Sequence, residues 1–183
     1  HHRHRSFPNW KGKAMQDSIL RFSLLACLTS STLAQSSVPY WIAEGESAHS
    51  EFGRSVASAG DVDGNGYADL IIGAPLFEDG FSARGQVSVF RCSAAGLEST
   101  ASWTVEGGPL DEYFGGCVAS AGDVDGAGYA DIIIGAGWYK NQYERAGRAL
   151  VYMGSSAGPS SGADWVAEGD RTDALFGRRV ASA

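Results

Sequence analysis

The stretch Asp61-Val-Asp-Gly-Asn-Gly-Tyr-Ala-Asp69, followed by Leu-Ile-Ile-Gly-Ala-Pro75, returns 62 positions later as Asp123-Val-Asp-Gly-Ala-Gly-Tyr-Ala-Asp131 and Ile-Ile-Ile-Gly-Ala136. The same step relates Trp41, Trp103 and Trp165, and also Phe52-Gly53, Phe114-Gly115 and Phe176-Gly177, without an insertion or deletion. A fixed period of this length restricts the chain to a solenoid, a propeller or an array of like modules.

Each unit reads as four short strands. Strand A covers residues 52–60, strand B is the continuous apolar run 70–75, strand C alternates over 85–91, and strand D covers 103–106. An unbroken apolar run suits a strand buried on both faces, and alternation suits one with a single buried face. Tyr40-Trp-Ile-Ala-Glu-Gly45 reads as a further D-type strand, and the repeated Phe52, Phe114 and Phe176 as core. Four antiparallel strands per repeat, with faces that only neighbouring repeats can cover, describe a propeller blade. Successive connections of such a blade alternate between its two ends. The A-B loops therefore share an end with the C-D loops, and the B-C loops (76–84, 138–146) share the other with the D-A loops (107–113, 169–175).

Charge is distributed unevenly. The net charge is -7, but residues 1–34 hold five Lys/Arg and one Asp, so residues 35–183 hold nine basic residues against twenty acidic ones. That surface excludes nucleic acid and anionic membrane as natural partners and favours cations. Residues 1–14 precede the first Met and read as an upstream or non-native extension. Residues 15–34 combine Arg21, a short apolar run and Thr32-Leu-Ala34, the pattern of a secretory signal peptide; the run is too short to span a bilayer. The propeller portion is then 35–183, and a secreted, extracellular or cell-surface location is expected. Loss of Cys27 with the signal leaves Cys92 and Cys117, which permit one disulfide or two separate thiols.

The acidic loop carries the chemistry. Asp61, Asp63, Asn65, the carbonyl of Tyr67 and Asp69 fall at alternate positions, so they converge on one hard cation if the backbone curls, with Gly66 supplying the turn. All donors are oxygens, which favours Ca²⁺ over Zn²⁺. Position twelve of the loop is Ile72 rather than a bidentate Glu, so this is not an EF-hand. The second copy offers Asp123, Asp125, Tyr129 and Asp131, with Ala127 where the side-chain ligand should stand, and weaker binding is expected there. A polar turn whose Asp side chains merely bond local backbone is the plainer alternative.

Phe52-Gly53, the acidic loop and Ile72-Gly-Ala-Pro75 together resemble the FG-GAP repeat, the unit of the N-terminal β-propeller of integrin α subunits. The blade repeats start at Phe52, Phe114 and, truncated, Phe176. The resemblance implies an all-β, seven-bladed ring, far more than 35–183 can hold, so a partial propeller is expected. It also implies a non-catalytic, calcium-stabilised module for extracellular binding or adhesion, taking a protein or glycan ligand. Phe77, Phe81, Trp138, Tyr139 and Tyr143 of the B-C loops are candidate contacts, with packing on a neighbouring blade the alternative for Phe77 and Trp138. Similar repeats occur in a secreted phospholipase D-like enzyme, so a non-catalytic propeller portion of a hydrolase is the rival reading. His49, flanked by Ser47, Ser50 and Glu51 in a loop, is the one His beyond the extension, and proximity in sequence is not a catalytic triad.

Overall fold

The structure, a computed structural model, describes residues 40–78, 84–109 and 111–182. The expected extension, the signal segment with Cys27, and Phe81 lie outside the described residues. Among the described residues ten strands form: β1 (Ser55–Gly60), β2 (Asp69–Ala74), β3 (Gln86–Phe90), β4 (Cys92–Ser93), β5 (Gly96–Leu97), β6 (Trp103–Glu106), β7 (Phe114–Gly122), β8 (Asp131–Ala136), β9 (Arg148–Tyr152) and β10 (Trp165–Glu168). They make two four-stranded antiparallel sheets, β1-β2-β3-β6 and β7-β8-β9-β10, and a two-stranded ribbon of β4 and β5. Each large sheet is an up-and-down meander, and the two are successive blades of a β-propeller left as an open arc. No helix among the described residues is long and apolar enough to cross a membrane.

Strand B behaves as its pattern requires, whereas strand C, expected from its alternation to bury one face, is buried on both, along 87–90 in the first blade and 149–152 in the second, because it lies between two other strands under the shared core. In β2, Ile71, Ile72 and Ala74 are all buried, and Ile71 sits between Ala57 of β1 and Val89 of β3 in register. The ladder repeats in the second blade, where Ile133 of β8 lies between Ala119 and Val151. One apolar cluster runs through both blades, joining Ile71, Val87 and Val89 to Phe114, Val118, Ile132, Ile134 and Tyr152. Neither sheet could keep that surface from water alone.

The two named motifs of the repeat are halves of one contact. A β-carbon on Gly73 would overlap the carbonyl oxygen of Gly115, and one on Gly85 would overlap that of Phe114. The same pairs recur one unit later, Gly135 with Gly177 and Gly147 with Phe176. The Phe-Gly dipeptides at 114 and 176 therefore lie directly on the unit before them, the Gly against the Gly-Ala of strand B and the Phe against the Gly that opens strand C. Ser55 Oγ donates to the Gly115 carbonyl at 2.7 Å across this seam. The chain enters it through a left-handed residue in every copy, with φ of 53° at Glu51, 65° at Tyr113 and 52° at Leu175. That conformation is costly for residues with a β-carbon, and its threefold recurrence marks a turn dictated by the packing.

A second seam contact uses the repeated Trp. Trp103 Nε1 donates to the Ser160 carbonyl at 3.2 Å, and its ring meets Tyr152 edge-on at 5.3 Å. Trp41 does the same one blade earlier, to the Glu98 carbonyl at 2.8 Å and to Phe90 at 5.2 Å. Residues 40–45 nevertheless form no strand, contrary to the sequence expectation: among the described residues no C strand stands beside them to complete a ladder. Trp165, which meets no further blade among the described residues, is 49% exposed. Of the three Phe expected in the core, Phe114 is buried and Phe52 half-buried, whereas Phe176 is 42% exposed because no described third-blade strand covers it. Cys92 and Cys117 are both free thiols.

Gly73→Ala is expected to destabilise the protein by about 1–3 kcal/mol, since the new methyl meets a backbone oxygen that cannot rotate away. Gly162→Ala, which meets nothing within 4 Å, is expected to stay within about 0.5 kcal/mol of the parent. Urea midpoints of the two variants test the seam directly.

Candidate metal centres at the A-B loops

A β-bulge precedes each acidic loop. The register slips between Ser58 and Gly60 in β1 and between Ser120 and Gly122 in β7, with Gly60 and Gly122 at φ of 77° and 80°. The extra residue bends the strand and aims the loop away from the ladder. The last loop residue, Asp69 or Asp131, is also the first residue of strand B, so the sheet itself fixes that carboxylate.

In the first blade, carboxylate oxygens of Asp61, Asp63 and Asp69 lie within 4.8 Å of one another, and in the second those of Asp123, Asp125 and Asp131 do the same. Oxygens bound to one Ca²⁺-sized cation sit about 2.3–2.6 Å from it, so two on opposite sides are up to about 5 Å apart. Both clusters meet that limit. The donors are all hard oxygens, and both loops fit a divalent cation on these grounds.

Backbone N–H groups hold the carboxylates in place. Asp61 accepts from Asn65 N at 3.0 Å and Gly66 N at 2.8 Å, and Asp63 accepts from Asn65 N at 3.2 Å. Asp69, only 2% exposed, receives Val62 N at 3.0 Å on one oxygen and Cys92 N at 2.8 Å on the other. In the second loop Asp123 accepts from Gly128 N, Asp125 from Ala127 N, and Asp131 from Val124 N and Gly154 N, all between 2.7 and 2.9 Å. These are the Asx-type bonds of the plainer reading, and they are present. They do not exclude an ion, because a carboxylate oxygen has two lone pairs.

Asn65 is turned differently from the other expected ligands. Its Oδ1 accepts from Tyr67 N at 2.8 Å and its Nδ2 donates to the Cys92 carbonyl at 2.9 Å, so its amide ties the loop to the end of β3. The Tyr67 side chain is exposed, and the Tyr129 ring rests against Gly64 of the first loop. Strands A-B and C-D do share an end: Cys92 and Arg91, leaving β3, reach Asp69 and Asp63. At the opposite end, Asn141 of a B-C loop donates to the Gly169 carbonyl of a D-A loop at 3.2 Å.

The two loops differ in what covers them. The first is stitched to the second blade by Ala130 N on the Asp61 carbonyl at 2.8 Å and Ser155 N on the Val62 carbonyl at 3.1 Å. Val62 is consequently fully buried, while its counterpart Val124 is 56% exposed. Arg91 adds a built-in positive charge to the first loop alone, with Nε 3.2 Å from Asp63 Oδ2 as an ion pair rather than an aligned hydrogen bond, while its NH2 group donates to the Ala157 carbonyl at 2.6 Å. Met153 takes that place in the second blade.

Sequence reasoning missed a buried ion pair at the far end of the seam. Asp111, 2% exposed, accepts from Gly108 N at 2.6 Å and pairs with Arg148, whose guanidinium lies 4.3 Å over the Tyr139 ring. The signal was available as a joint departure from the repeat, since His49 and Gln86 hold those places in the first blade.

The FG-GAP repeat family matches residues 52–90. Among known proteins, integrin alpha-5 of Xenopus laevis is 33% identical over 124 residues, which is 66% of this chain and 12% of that protein. Integrin alpha-IIb of Homo sapiens is 37% identical over 99 residues, 54% of this chain and 9% of the relative. Integrin alpha-6 of Gallus gallus is 30% identical over 133 residues, 73% and 12% respectively. The chain thus spans 9% to 12% of the length of these relatives.

Burial raises the Asp69 carboxyl above its ordinary value of 3.8; the N–H groups of Cys92 and Val62 oppose this, and Asp63 and Asp61 add to it. A proton on Asp69 is therefore held more tightly in the folded chain than in the unfolded one. With divalent cations chelated, the resulting stability is present below the ordinary value and lost as pH rises through the higher folded-state value. Urea titrations from pH ~4 to ~7 are expected to show that downward slope in the parent and its loss in Asp69→Asn.

Proposed function

Because this chain is an FG-GAP repeat protein similar to integrin α subunits, we propose that it is the calcium-stabilised propeller of an extracellular or cell-surface adhesion protein, delivered by the signal at 15–34 and without catalysis of its own. The observation that carries the reading is the pair of all-oxygen clusters at the same repeat position of consecutive blades, one of them locked into the inter-blade seam. An ion there neutralises three clustered carboxylates and stiffens the hairpin against which the next blade packs. Its role is structural, and ligands dock at the other end, on the B-C and D-A loops.

Ca²⁺ is favoured over Mg²⁺ because the backbone bonds already made by these carboxylates leave an irregular set of lone pairs, and Ca²⁺ tolerates irregular coordination. Asp61, Asp63, Asn65, the Tyr67 carbonyl and Asp69 are the proposed first set; Asp123, Asp125, the Tyr129 carbonyl and Asp131 are the second. Extracellular sites of this kind work at about 10⁻⁴ to 10⁻³ M.

Calorimetric titration with Ca²⁺ is expected to give two sites in the parent and one in Asp61→Ala/Asp63→Ala. Ala127→Asn is expected to tighten the weaker site severalfold by restoring a side-chain ligand. Unchanged stoichiometry in the double variant would refute the calcium assignment. The adhesion reading is tested by surface plasmon resonance of the immobilised chain against purified matrix proteins and a glycan array, with Ca²⁺ and with chelator. Calcium-dependent capture of a defined ligand supports it; hydrolysis of ester, phosphodiester or glycoside substrates would favour the hydrolase instead.

A further inference from the structure

We propose that a cleft at the B-C/D-A end of the second blade receives an acidic peptide segment of a partner protein, seated on Tyr113 and Trp138 and held by Arg178 and Arg179. The proposal rests on the reading that this end faces partners. The cleft has a volume of about 410 Å³ and is lined by Arg54, Tyr113, Gly116, Trp138, Arg178 and Arg179, among others.

Its origin is a break in the repeat. Arg54, Gly116 and Arg178 hold the same place at the start of three successive A strands, so the middle copy lacks the long side chain of its neighbours. A β-carbon at Gly116 would strike the Tyr113 ring, which occupies that space. Tyr113 stacks on Trp138 with ring centroids 4.6 Å apart and planes 26° from parallel. The corresponding residues of the first blade are Glu51 and Leu76, so the aromatic wall belongs to the second blade alone. Trp138 is 43% exposed, a large apolar platform turned to solvent.

The charge at this place opposes that of the whole. The chain carries -7 overall, yet three arginines line the cleft. Arg54 meets Glu51 at a loose 3.9 Å, and among the described residues Arg178 and Arg179 make no ion pair. Unpaired guanidinium forks match the geometry of carboxylates, and an adjacent aromatic face adds apolar contact for the flanking chain. An extended polyanion would also have to run over a chain whose residues 35–183 hold twenty acidic residues against nine basic ones, which costs energy; a short acidic segment need not.

The test is fluorescence anisotropy of the full chain with a short labelled peptide of Asp and Glu, its Asn and Gln counterpart, and a labelled heparin oligosaccharide. Binding of the acidic peptide alone is expected, weakening with salt, falling roughly tenfold or more in Arg178→Gln/Arg179→Gln and severalfold in Trp138→Ala. All three residues are exposed, so the urea midpoint is expected to stay unchanged and reports whether a variant has misfolded. No peptide binding, binding indifferent to the double variant, or tighter binding of the heparin oligosaccharide overturns the proposal. A matrix ligand captured equally well by parent and double variant overturns it too, while leaving the adhesion reading intact.

Discussion

The backbone of one blade touches the backbone of the next where Gly115 lies on Gly73 and Phe114 on Gly85, and everything else is arranged around that approach. No side chain can stand between the strands there, so the Gly of the Gly-Ala-Pro run is a steric requirement. The left-handed turn before each Phe-Gly delivers the dipeptide flat onto that surface. Phe114 then enters the shared core, and the Trp at the outer end closes the seam a second time. A blade is thus stable only as a neighbour, in keeping with the quasi-one-dimensional energetics of repeat architectures.

The same seam explains why two loops that differ at one residue, Asn65 against Ala127, are covered so differently. Asp61 and Asp123 start the same nine-residue motif, but the first loop offers its Asp61 and Val62 carbonyls to donors of the next blade, and the second meets no such donors among the described residues. The first loop is therefore buried in part, and its cluster is balanced by Arg91 as well as by N–H groups. A cation entering the first loop competes with that guanidinium at Asp63, whereas in the second it meets only the dipoles of the backbone. The ligand lost at Ala127 and the counter-charge gained at Arg91 act in opposite directions on the ranking of the two sites.

Much of this was legible in the residues. Period, strand order, the buried B strand and the end shared by the A-B and C-D loops follow from spacing and alternation, because those patterns are local. What escaped was set by tertiary contact. Residues 40–45 carry the D-strand pattern but have no partner strand among the described residues, and a strand is defined by its ladder. Phe176 carries the core pattern, but no blade among the described residues covers it. The Asn65 amide reads as a ligand by position, and no local pattern encodes its added bond to the Cys92 carbonyl, 27 positions away. The Asp111–Arg148 pair links positions 37 apart in different elements, which no local pattern encodes.

An internally repeated chain does carry its own reference, and the departures from it are informative. Places that keep the same residue in each unit, such as the Trp, the Phe-Gly and the loop Asp, are those the seam or the loop needs. Places that change between the blades fall largely at one end: Tyr113 against Glu51, Trp138 against Leu76, Gly116 against Arg54, and the Asp111–Arg148 pair against His49 and Gln86. Architecture cannot be the reason for these changes, since the first blade builds the same sheet without them. The buried ion pair fixes the D-A loop that carries Tyr113, and Tyr113 fixes the face of Trp138. Rigid support beneath an exposed aromatic lowers the ordering cost of binding, so the divergent end of the second blade is where an interaction surface is least expensive to build.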